Sequence, residues 1–284
     1  WGISISGRRS YADLVLNPIL SDSEVSIRAP RYYDAQARIL YHPTANDKLD
    51  LTFLMSNDQF RFLGNNADDN QASLSYTKDF YKLRFQWRKN LSNQWKQETS
   101  IITGPEQLKL SIGTDANVIE RQVGLNLRHE YKRLPTPEKM GLRLGIDSYT
   151  AKDTSVYELP DLVDQESSFS FHSTALYGET TTKWNALTII SGLRLEGYYQ
   201  QEDVFVPYAD PRLNLKYELS DSTILKMGGG IYSQFPEPNQ LDEESGGIPT
   251  LSVEQAFQYA VGIDTQFTDA LRLENTVFWN DLQK

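Results

Sequence analysis

The stretch PRLNLKYELSDSTILKMGGGIYSQFPEPNQL, residues 211–241, decides the fold. In its first half apolar and polar side chains alternate one by one, and the same alternation resumes after a polar turn at residues 220–223. Alternation with a period of two on both sides of a short turn predicts two antiparallel strands whose two faces differ chemically. A loop rich in Pro, Asn, Glu and Gly follows the second strand at residues 235–250.

The rest of the chain repeats this pattern of strand, short turn, strand and longer loop. The alternation predicts roughly 13 strands of about 9 to 15 residues, whereas strands of soluble domains usually have ~5 to 6 residues. The longest predicted loops cover residues 10–30, 57–70, 151–165 and 235–250.

The composition excludes several classes of protein. The chain has 284 residues, a net charge of −10 and no cysteine. The negative charge argues against a nucleic-acid partner, and the lack of cysteine excludes disulfides and thiolate metal sites. No apolar run approaches the ~18 residues that a membrane helix needs. A membrane-spanning β-barrel still fits this polar composition, because only every second residue of its strands faces lipid.

Strand length, alternation and loop asymmetry together are typical of an outer-membrane barrel. We therefore predict an all-β protein, a transmembrane antiparallel up-and-down β-barrel, with short turns in the periplasm and long loops outside the cell. Aromatic residues near strand ends would then form girdles at the membrane interfaces. These residues are Tyr41, Trp87, Trp95, Tyr131, Trp184, Tyr199 and Trp279. The alternative is a soluble β-sandwich or propeller, in which the aromatic residues would fill a core.

The face opposite the apolar positions carries charges of both signs. A charge facing hydrocarbon costs about 2 to 4 kcal/mol at the bilayer midplane, so we expect this face to line a lumen filled with water or protein. The predicted lumen-facing residues are Arg128, Glu130, Arg143, Asp147, Arg194, Glu196, Arg212, Lys216 and Glu218.

Several motifs of the chain resemble the barrel of TonB-dependent outer-membrane receptors. They are SISGRRSY at 4–11, SGLRL at 191–195, DPRL at 210–213, GIYSQFP at 230–236 and LSVE at 251–254. In the family the last of these segments is typically Leu-Lys-Pro-Glu, so Ser252 and Val253 depart from the pattern while Leu251 and Glu254 keep it. The order and spacing of the motifs extend the resemblance over essentially the whole chain.

The resemblance implies energy-coupled import of a scarce nutrient, such as a ferric siderophore, cobalamin or a glycan, across the outer membrane of a Gram-negative bacterium. Its implied partners are the substrate, a plug domain, a periplasmic energy-coupling protein, and outer-membrane lipid including lipopolysaccharide; no cofactor is implied. Family barrels have about 22 strands around a plug. Because about 13 strands cannot close alone and no plug is recognised, we expect residues 1–284 to be one barrel domain segment of a larger receptor.

Two other functions remain as alternatives. A passive porin or an adhesin-like barrel would lack the plug and the energy-coupling segment. An outer-membrane hydrolase would need a histidine beside carboxylates at the outer rim. His172, with Asp164 and Glu166 upstream, comes nearest to this pattern, but no serine or second histidine is placed with it. We therefore predict that the chain has no catalytic residues and is not an enzyme.

Substrate contacts are expected among polar and aromatic side chains near the outer rim. The candidates are Tyr198, Tyr232, Gln234, Phe60, Arg61 and Phe62. Two acidic loop segments, at residues 65–70 and 242–244, have oxygen ligands that suit calcium, but neither has the spacing of an EF-hand. We predict solvated loops there and no metal site.

Overall fold

The chain forms one antiparallel sheet of 13 strands whose spatial order is the order of the sequence. The computed structural model describes residues 1–12, 14, 25–64, 73–113, 116–136, 140–160, 165–199, 205–236, 238–241, 247–248 and 251–283. The strands are β1 (Gly2–Arg9), β2 (Val25–Tyr41), β3 (Asp47–Gly64), β4 (Ser73–Asn90), β5 (Trp95–Ile112), β6 (Ala116–Arg133), β7 (Gly141–Glu158), β8 (Gln165–Trp184), β9 (Leu187–Tyr199), β10 (Phe205–Ser220), β11 (Thr223–Gln234), β12 (Glu254–Thr268) and β13 (Leu271–Gln283). One short helix, α1 (Pro238–Leu241), follows β11.

The hairpin predicted from residues 211–241 is present in the expected register. Leu215 pairs with Met227 and Lys216 with Lys226, so each face of the hairpin keeps its own chemistry across the two strands. Every strand continues the same up-and-down order, which confirms the predicted all-β class and the count of 13 strands.

Most strands are longer than the alternation predicts. β8 has 20 residues, and the shortest strand after β1 is β11 with 12. The predicted loops at 57–70 and 151–165 are wrong in their first parts, because β3 continues to Gly64 and β7 to Glu158. Polar residues occupy both faces in these extensions, so the alternation disappears there while the backbone ladder continues. The strand backbone therefore extends beyond the part whose two faces differ.

The distribution of exposed and buried side chains is the inverse of that in a soluble protein. On β6 the side chains of Val123, Leu125 and Leu127 are 56%, 44% and 37% exposed, whereas Glu130 and, on β7, Asp147 are each only 7% exposed. Soluble proteins bury aliphatic side chains and almost never fully bury carboxylates without a partner. We call the side of the sheet with Val123 the apolar face and the side with Asp147 the charged face. This distribution favours a wall between lipid and water over a soluble sandwich.

Five of the seven aromatic residues of the predicted girdles lie on the exposed surface, whereas Trp87 and Trp95 are half-buried. Tyr41, Tyr131, Trp184, Tyr199 and Trp279 are all among the exposed large hydrophobic residues. Among the described residues no helix is long and apolar enough to cross a bilayer.

The strands group into two compact units by their backbone contacts. The first comprises Trp1–Trp87, Ser100–Leu127 and Tyr149–Phe171, and the second comprises Arg88–Thr99, Arg128–Ser148 and His172–Lys284. The single barrel domain over residues 1–284 stays a prediction.

Tyrosine rings on the charged face lie directly over glycines of the preceding strand. A methyl group added at Gly145 on β7 would lie 2.3 Å from Cζ of Tyr177 on β8. At Gly124 on β6 the same addition would lie 3.3 Å from Cε2 of Tyr149 on β7. These glycines are required by the space that a neighbouring ring fills, and each holds that ring flat against the sheet.

Replacing Gly145 by alanine is expected to destabilise the protein, because the Tyr177 ring would have to leave its position. Forcing a methyl group into such a contact costs about 1 to 3 kcal/mol. Thermal unfolding followed by circular dichroism should show a lowered midpoint for Gly145→Ala. Gly2→Ala is the matched strand control, since nothing lies within 4 Å of its added carbon. Equal midpoints for the two variants would contradict the packing described here.

Candidate functional site

The charged face of the second unit has an ion network centred on Asp147. Arg128 on β6 makes a two-pronged contact with this carboxylate, Nε to Oδ1 at 2.6 Å and Nη2 to Oδ2 at 2.7 Å. Arg194 on β9 reaches Oδ2 of Asp147 with Nη1 at 2.9 Å, and its Nε lies 2.5 Å from Oε2 of Glu196. The structure therefore brings four of the predicted charged residues into one network. Because the network joins β6, β7 and β9, it fixes the charged face across four neighbouring strands.

Tyr177 on the intervening strand β8 completes this network. Its ring centroid lies 6.0 Å from the guanidinium carbon of Arg128 and 5.9 Å from that of Arg194, within the range of cation–π attraction. Its hydroxyl donates to Oε2 of Glu130 at 3.0 Å. The sequence analysis missed Tyr177. The available signal was its parity, which it shares with Phe169, Phe171 and Ala175, the buried residues of β8.

Glu130 links the network to further cations. Lys132 Nζ lies 2.5 Å from Oε1 of Glu130, and Arg143 Nε lies 3.4 Å from its Oε2. Arg143 also approaches Glu179, at 3.8 Å. Glu130 and Arg143 were predicted, whereas Lys132 and Glu179 were missed although their partners were predicted.

A second group surrounds Arg212 on β10. Its guanidinium carbon lies 4.3 Å from the ring centroid of Tyr232 on β11, and Nη2 lies 3.7 Å from Oδ2 of Asp210. Asp210, which is buried, also accepts from the Ser233 hydroxyl at 2.6 Å. These contacts hold Tyr232, a predicted substrate contact, beside a cation on the charged face.

An open cleft of about 230 Å³ lies between these groups. Its lining includes Arg128, Glu130, Arg143, Tyr177, Arg194 and Arg212. The lining contains both guanidinium groups and carboxylates, so the cleft suits a polar partner with charges of both signs.

A third ion cluster lies on β11, β12 and β13. Lys226 Nζ lies 2.9 Å from Oδ2 of Asp264 and 2.6 Å from Oε1 of Glu274, and Asp264 also pairs with Arg272. Elsewhere on this face Lys183 on β8 pairs with Glu218 on β10 at 2.8 Å.

All nine predicted charged residues share the parity of the charged face. Lys216, the ninth, lies opposite Thr188 and Lys226 in the strand register. That this face lines a lumen stays a prediction.

The six predicted substrate contacts lie in different environments. Tyr198 is fully buried, its hydroxyl donates to the carbonyl of Leu251 at 3.5 Å, and its ring lies 6.0 Å from that of Phe235. Gln234 is exposed at the end of β11. The burial of Tyr198 gives it a packing role in the structure, and substrate contact for all six stays a prediction.

Phe60, Arg61 and Phe62 lie on β3 and not in the predicted loop. The two phenylalanine rings make an edge-to-face contact with centroids 4.4 Å apart. Arg61 has the opposite parity and pairs with Arg28 in the strand register, so it faces away from the two rings.

His172, the histidine of the hydrolase alternative, has the parity of the exposed Leu176 on the apolar face. Its Nε2 lies 3.1 Å from the Thr174 hydroxyl, and its ring centroid lies 5.8 Å from that of Tyr199. Within the described residues no three His, Asp or Glu side chains converge as metal ligands would. Asp164 and both calcium candidates, at 65–70 and 242–244, lie outside the described residues.

Comparisons with known proteins identify the fold. No protein-family model matches the sequence, and no curated protein matches it. Among solved structures, the copper transporter OprC matches with 15% identity and a TM-score of 0.77, over 99% of this chain and 50% of that one. The ferric enterobactin receptor PfeA of Pseudomonas aeruginosa matches with 15% identity and a TM-score of 0.68, over 89% and 43%. The ferric yersiniabactin uptake receptor FyuA of Yersinia pestis matches with 11% identity and a TM-score of 0.68, over 89% and 45%. The chain therefore spans about half the length of these proteins or less.

Replacing Asp147 by asparagine is expected to destabilise the network, because two arginines would lose their shared carboxylate. Breaking a buried pair costs about 3 to 5 kcal/mol, and since Arg128 is half exposed we expect about 1 to 3 kcal/mol here. Urea unfolding in detergent micelles measures this loss. Glu218→Gln is the control, because the exposed pair with Lys183 should contribute at most about 1 kcal/mol. A loss no larger than that of the control would refute the central position of Asp147.

Proposed function

We propose that this chain, which has the barrel fold of TonB-dependent receptors, forms part of the wall of an outer-membrane receptor that imports a scarce nutrient by energy-coupled transport. The observation that carries the proposal is the inverse distribution of exposed and buried side chains: the single sheet has one exposed apolar face and one face of paired charges. We call this arrangement the inverted wall. The proposed protein is a transporter and not an enzyme.

The exposed apolar face supports a location of the protein in a lipid bilayer. Among the described residues, every strand from β2 to β13 except β5 has at least one large apolar side chain exposed on this face, and water offers such side chains no favourable environment. Facing hydrocarbon, the same side chains are in their preferred solvent, and the paired strands leave few backbone groups unsatisfied. The proposed location is therefore the outer membrane of a Gram-negative bacterium.

The strand lengths support a receptor with an external binding region. A strand crosses the hydrocarbon core with ~9 to 11 residues, whereas β8 has 20. The additional residues of β8 and of β3 to β7 would project beyond the membrane, on the side of the longer connections. The proposed substrate contacts at this side are Tyr232, Gln234, Phe60, Arg61, Phe62 and Tyr198.

The ion network supports a plug within the barrel. Carboxylates and guanidinium groups of the charged face are already paired with one another, which gives a fixed pattern of charge on the wall. A plugged lumen is typical of barrels with about 22 strands. The proposed partners are this plug, a periplasmic energy-coupling protein, outer-membrane lipid and lipopolysaccharide. The similar structures include a copper transporter and receptors for ferric enterobactin and ferric yersiniabactin, and the proposed substrate is a ferric siderophore, cobalamin or a glycan.

Energy-coupled import predicts uptake that stops when the proton gradient is dissipated. Cells producing the full-length protein would be given labelled ferric siderophores, cobalamin and glycans, with and without a protonophore. We expect one substrate to accumulate against its gradient and the protonophore to abolish this accumulation. Uptake that persists and follows the external concentration would instead support the passive porin.

Loss of the Tyr232 ring is expected to weaken substrate binding about tenfold, since truncating an aromatic contact residue commonly costs over 1 kcal/mol. Binding to whole cells at low temperature separates this step from transport. Tyr217→Ala is the matched control, because Tyr217 lies on the apolar face of the neighbouring strand.

A hydrolytic activity that His172→Ala removes would support the enzyme alternative instead.

A further inference from the structure

The open cleft of the charged face has a glycine at its floor. In the strand register Gly192 on β9 lies between Glu179 on β8 and Arg212 on β10, so the three positions form one row across the sheet. Both charged side chains line the cleft, as do Ile190 and Arg194, the neighbours of Gly192 on the same face of β9. Because the glycine has no side chain, the row contains a depression with a carboxylate on one side and a guanidinium on the other. We call it the Gly192 depression.

The guanidinium of Arg212 keeps hydrogen-bond donors for a further partner. Its Nη2 lies 3.7 Å from Oδ2 of Asp210, which is longer than the upper limit of about 3.2 Å for an ordinary hydrogen bond. Its Nε is buried, and among the described residues no acceptor bonds to it. A buried donor without an acceptor is rare in folded proteins because it is costly. Arg212 therefore favours a ligand that brings an acceptor.

Glu179 is a loosely paired acceptor on the other side of the depression. Its one ion pair in the described part of the chain is with Nη1 of Arg143 at 3.8 Å, again longer than a hydrogen bond. Arg143 also approaches Glu130, at 3.4 Å, so Glu179 shares this cation. By contrast, Arg194 lies 2.9 Å from Asp147. The depression thus has a donor and an acceptor of opposite charge that are both available to a ligand.

We propose that the Gly192 depression binds a small zwitterionic solute, with its carboxylate on Arg212 and its protonated amine on Glu179. Arginine presents a planar fork of N–H donors that matches the two oxygens of a carboxylate, and Glu179 accepts the N–H donors of an ammonium group. The strands that carry the two residues lie about 10 Å apart, at ~4.8 Å per strand, so both side chains can contact a ligand that lies over Gly192.

The proposal rests on the proposed function and deepens it, because the charged face is the proposed lining of the lumen. The guanidinium of Arg212 contacts the ring of Tyr232, which lies near the outer end of β11 and is one of the proposed substrate contacts. A solute that leaves Tyr232 would next meet Arg212, so the depression is a second binding site on its path. A neutral glycan has neither of the two charges, and the site therefore favours a charged solute over a neutral glycan.

A titration of the purified full-length protein in nonionic detergent micelles, followed by ligand-observed NMR, tests this proposal. The probe is 4-aminobutyrate, and butyrate and butylamine are its analogues with one charge each. We expect saturable binding of 4-aminobutyrate and binding weaker by about 10-fold or more for each analogue, the range for losing one hydrogen bond to a charged group. Equal binding of the three compounds would overturn the zwitterion as the ligand. No binding of the probe, as when side chains of the plug fill the depression, would overturn the site.

Three variants locate the binding. Arg212→Gln and Glu179→Gln should each weaken the binding of 4-aminobutyrate by about 10- to 100-fold. Gly192→Leu keeps both charges and fills the floor of the depression, so it should abolish binding. Its Cβ is accommodated, since the nearest atom, the carbonyl oxygen of Gly178, lies 3.5 Å away, and the rest of the leucine side chain would occupy the depression.

Lys216→Gln is the matched control, because Lys216 lies on the same face of β10 as Arg212 but outside the lining of the cleft. Its affinity for 4-aminobutyrate should stay within about twofold of the parent. An equal loss in this control, or unchanged binding by Gly192→Leu, would overturn the proposal. Circular dichroism shows that each variant is folded, and Glu179→Gln, which removes one long ion pair, is expected to disturb the fold least.

The uptake experiment described above keeps this proposal separate from the proposed function. Uptake that requires the proton gradient, together with no binding of 4-aminobutyrate by the purified protein, removes only the Gly192 depression as a site. Uptake that persists without the gradient removes the energy coupling, whether or not the probe binds.

Discussion

A wall that is one strand thick must present a different solvent to each of its faces. Side chains of a strand alternate between the faces, so in the proposed wall every second residue faces lipid and every other residue faces the interior. In this chain Val123, Leu125 and Leu127 occupy one side of β6, and Arg128 and Glu130 begin the ion network on the other. A slip of one residue in register would exchange the two sets, which gives each strand a strong reason to keep its place.

The charged face depends on pairs that form between strands and not within them. Asp147 accepts from β6 and from β9, and Tyr177 on the strand between them lies near both arginines. Gly145 makes room for the tyrosine ring. In this patch the ion pairs, the tyrosine ring and the glycine that makes room for the ring depend on one another. Such a patch gives the proposed plug a fixed surface to recognise.

The sequence was sufficient for the fold and for the identity of many charged residues. The parity of Arg128, Asp147 and Arg194 follows from alternation alone. The contact between Arg194 and Asp147 does not follow, because Arg194 reaches Asp147 across β8 and this depends on the register of two strand pairs, β7 with β8 and β8 with β9. Tyr177 was missed for the same reason.

Strand ends were the least predictable part of the fold. Phe60 and Phe62 were assigned to a loop because both faces of β3 are polar or mixed beyond residue 56, although its backbone pairing with β2 continues to Gly64. The alternation of hydropathy marks only the part of a strand whose two faces meet different solvents. In the proposed barrel both faces meet water beyond the membrane, so the alternation ends there although the strand continues. The burial of Tyr198 under Phe235 and Leu251 was equally out of reach, since it depends on how a long connection folds back on β9.

The most direct test of the inverted wall is the accessibility of single nitroxide labels along β6 in the full-length protein reconstituted in vesicles. The chain has no cysteine, so single cysteines at positions 122 to 128 can be labelled one at a time. We predict that oxygen, which concentrates in lipid, collides most with labels at 123, 125 and 127, and that a water-soluble nickel complex shows no such maxima there. Accessibility to both reagents that is the same on odd and even positions would contradict a wall between lipid and a separate interior.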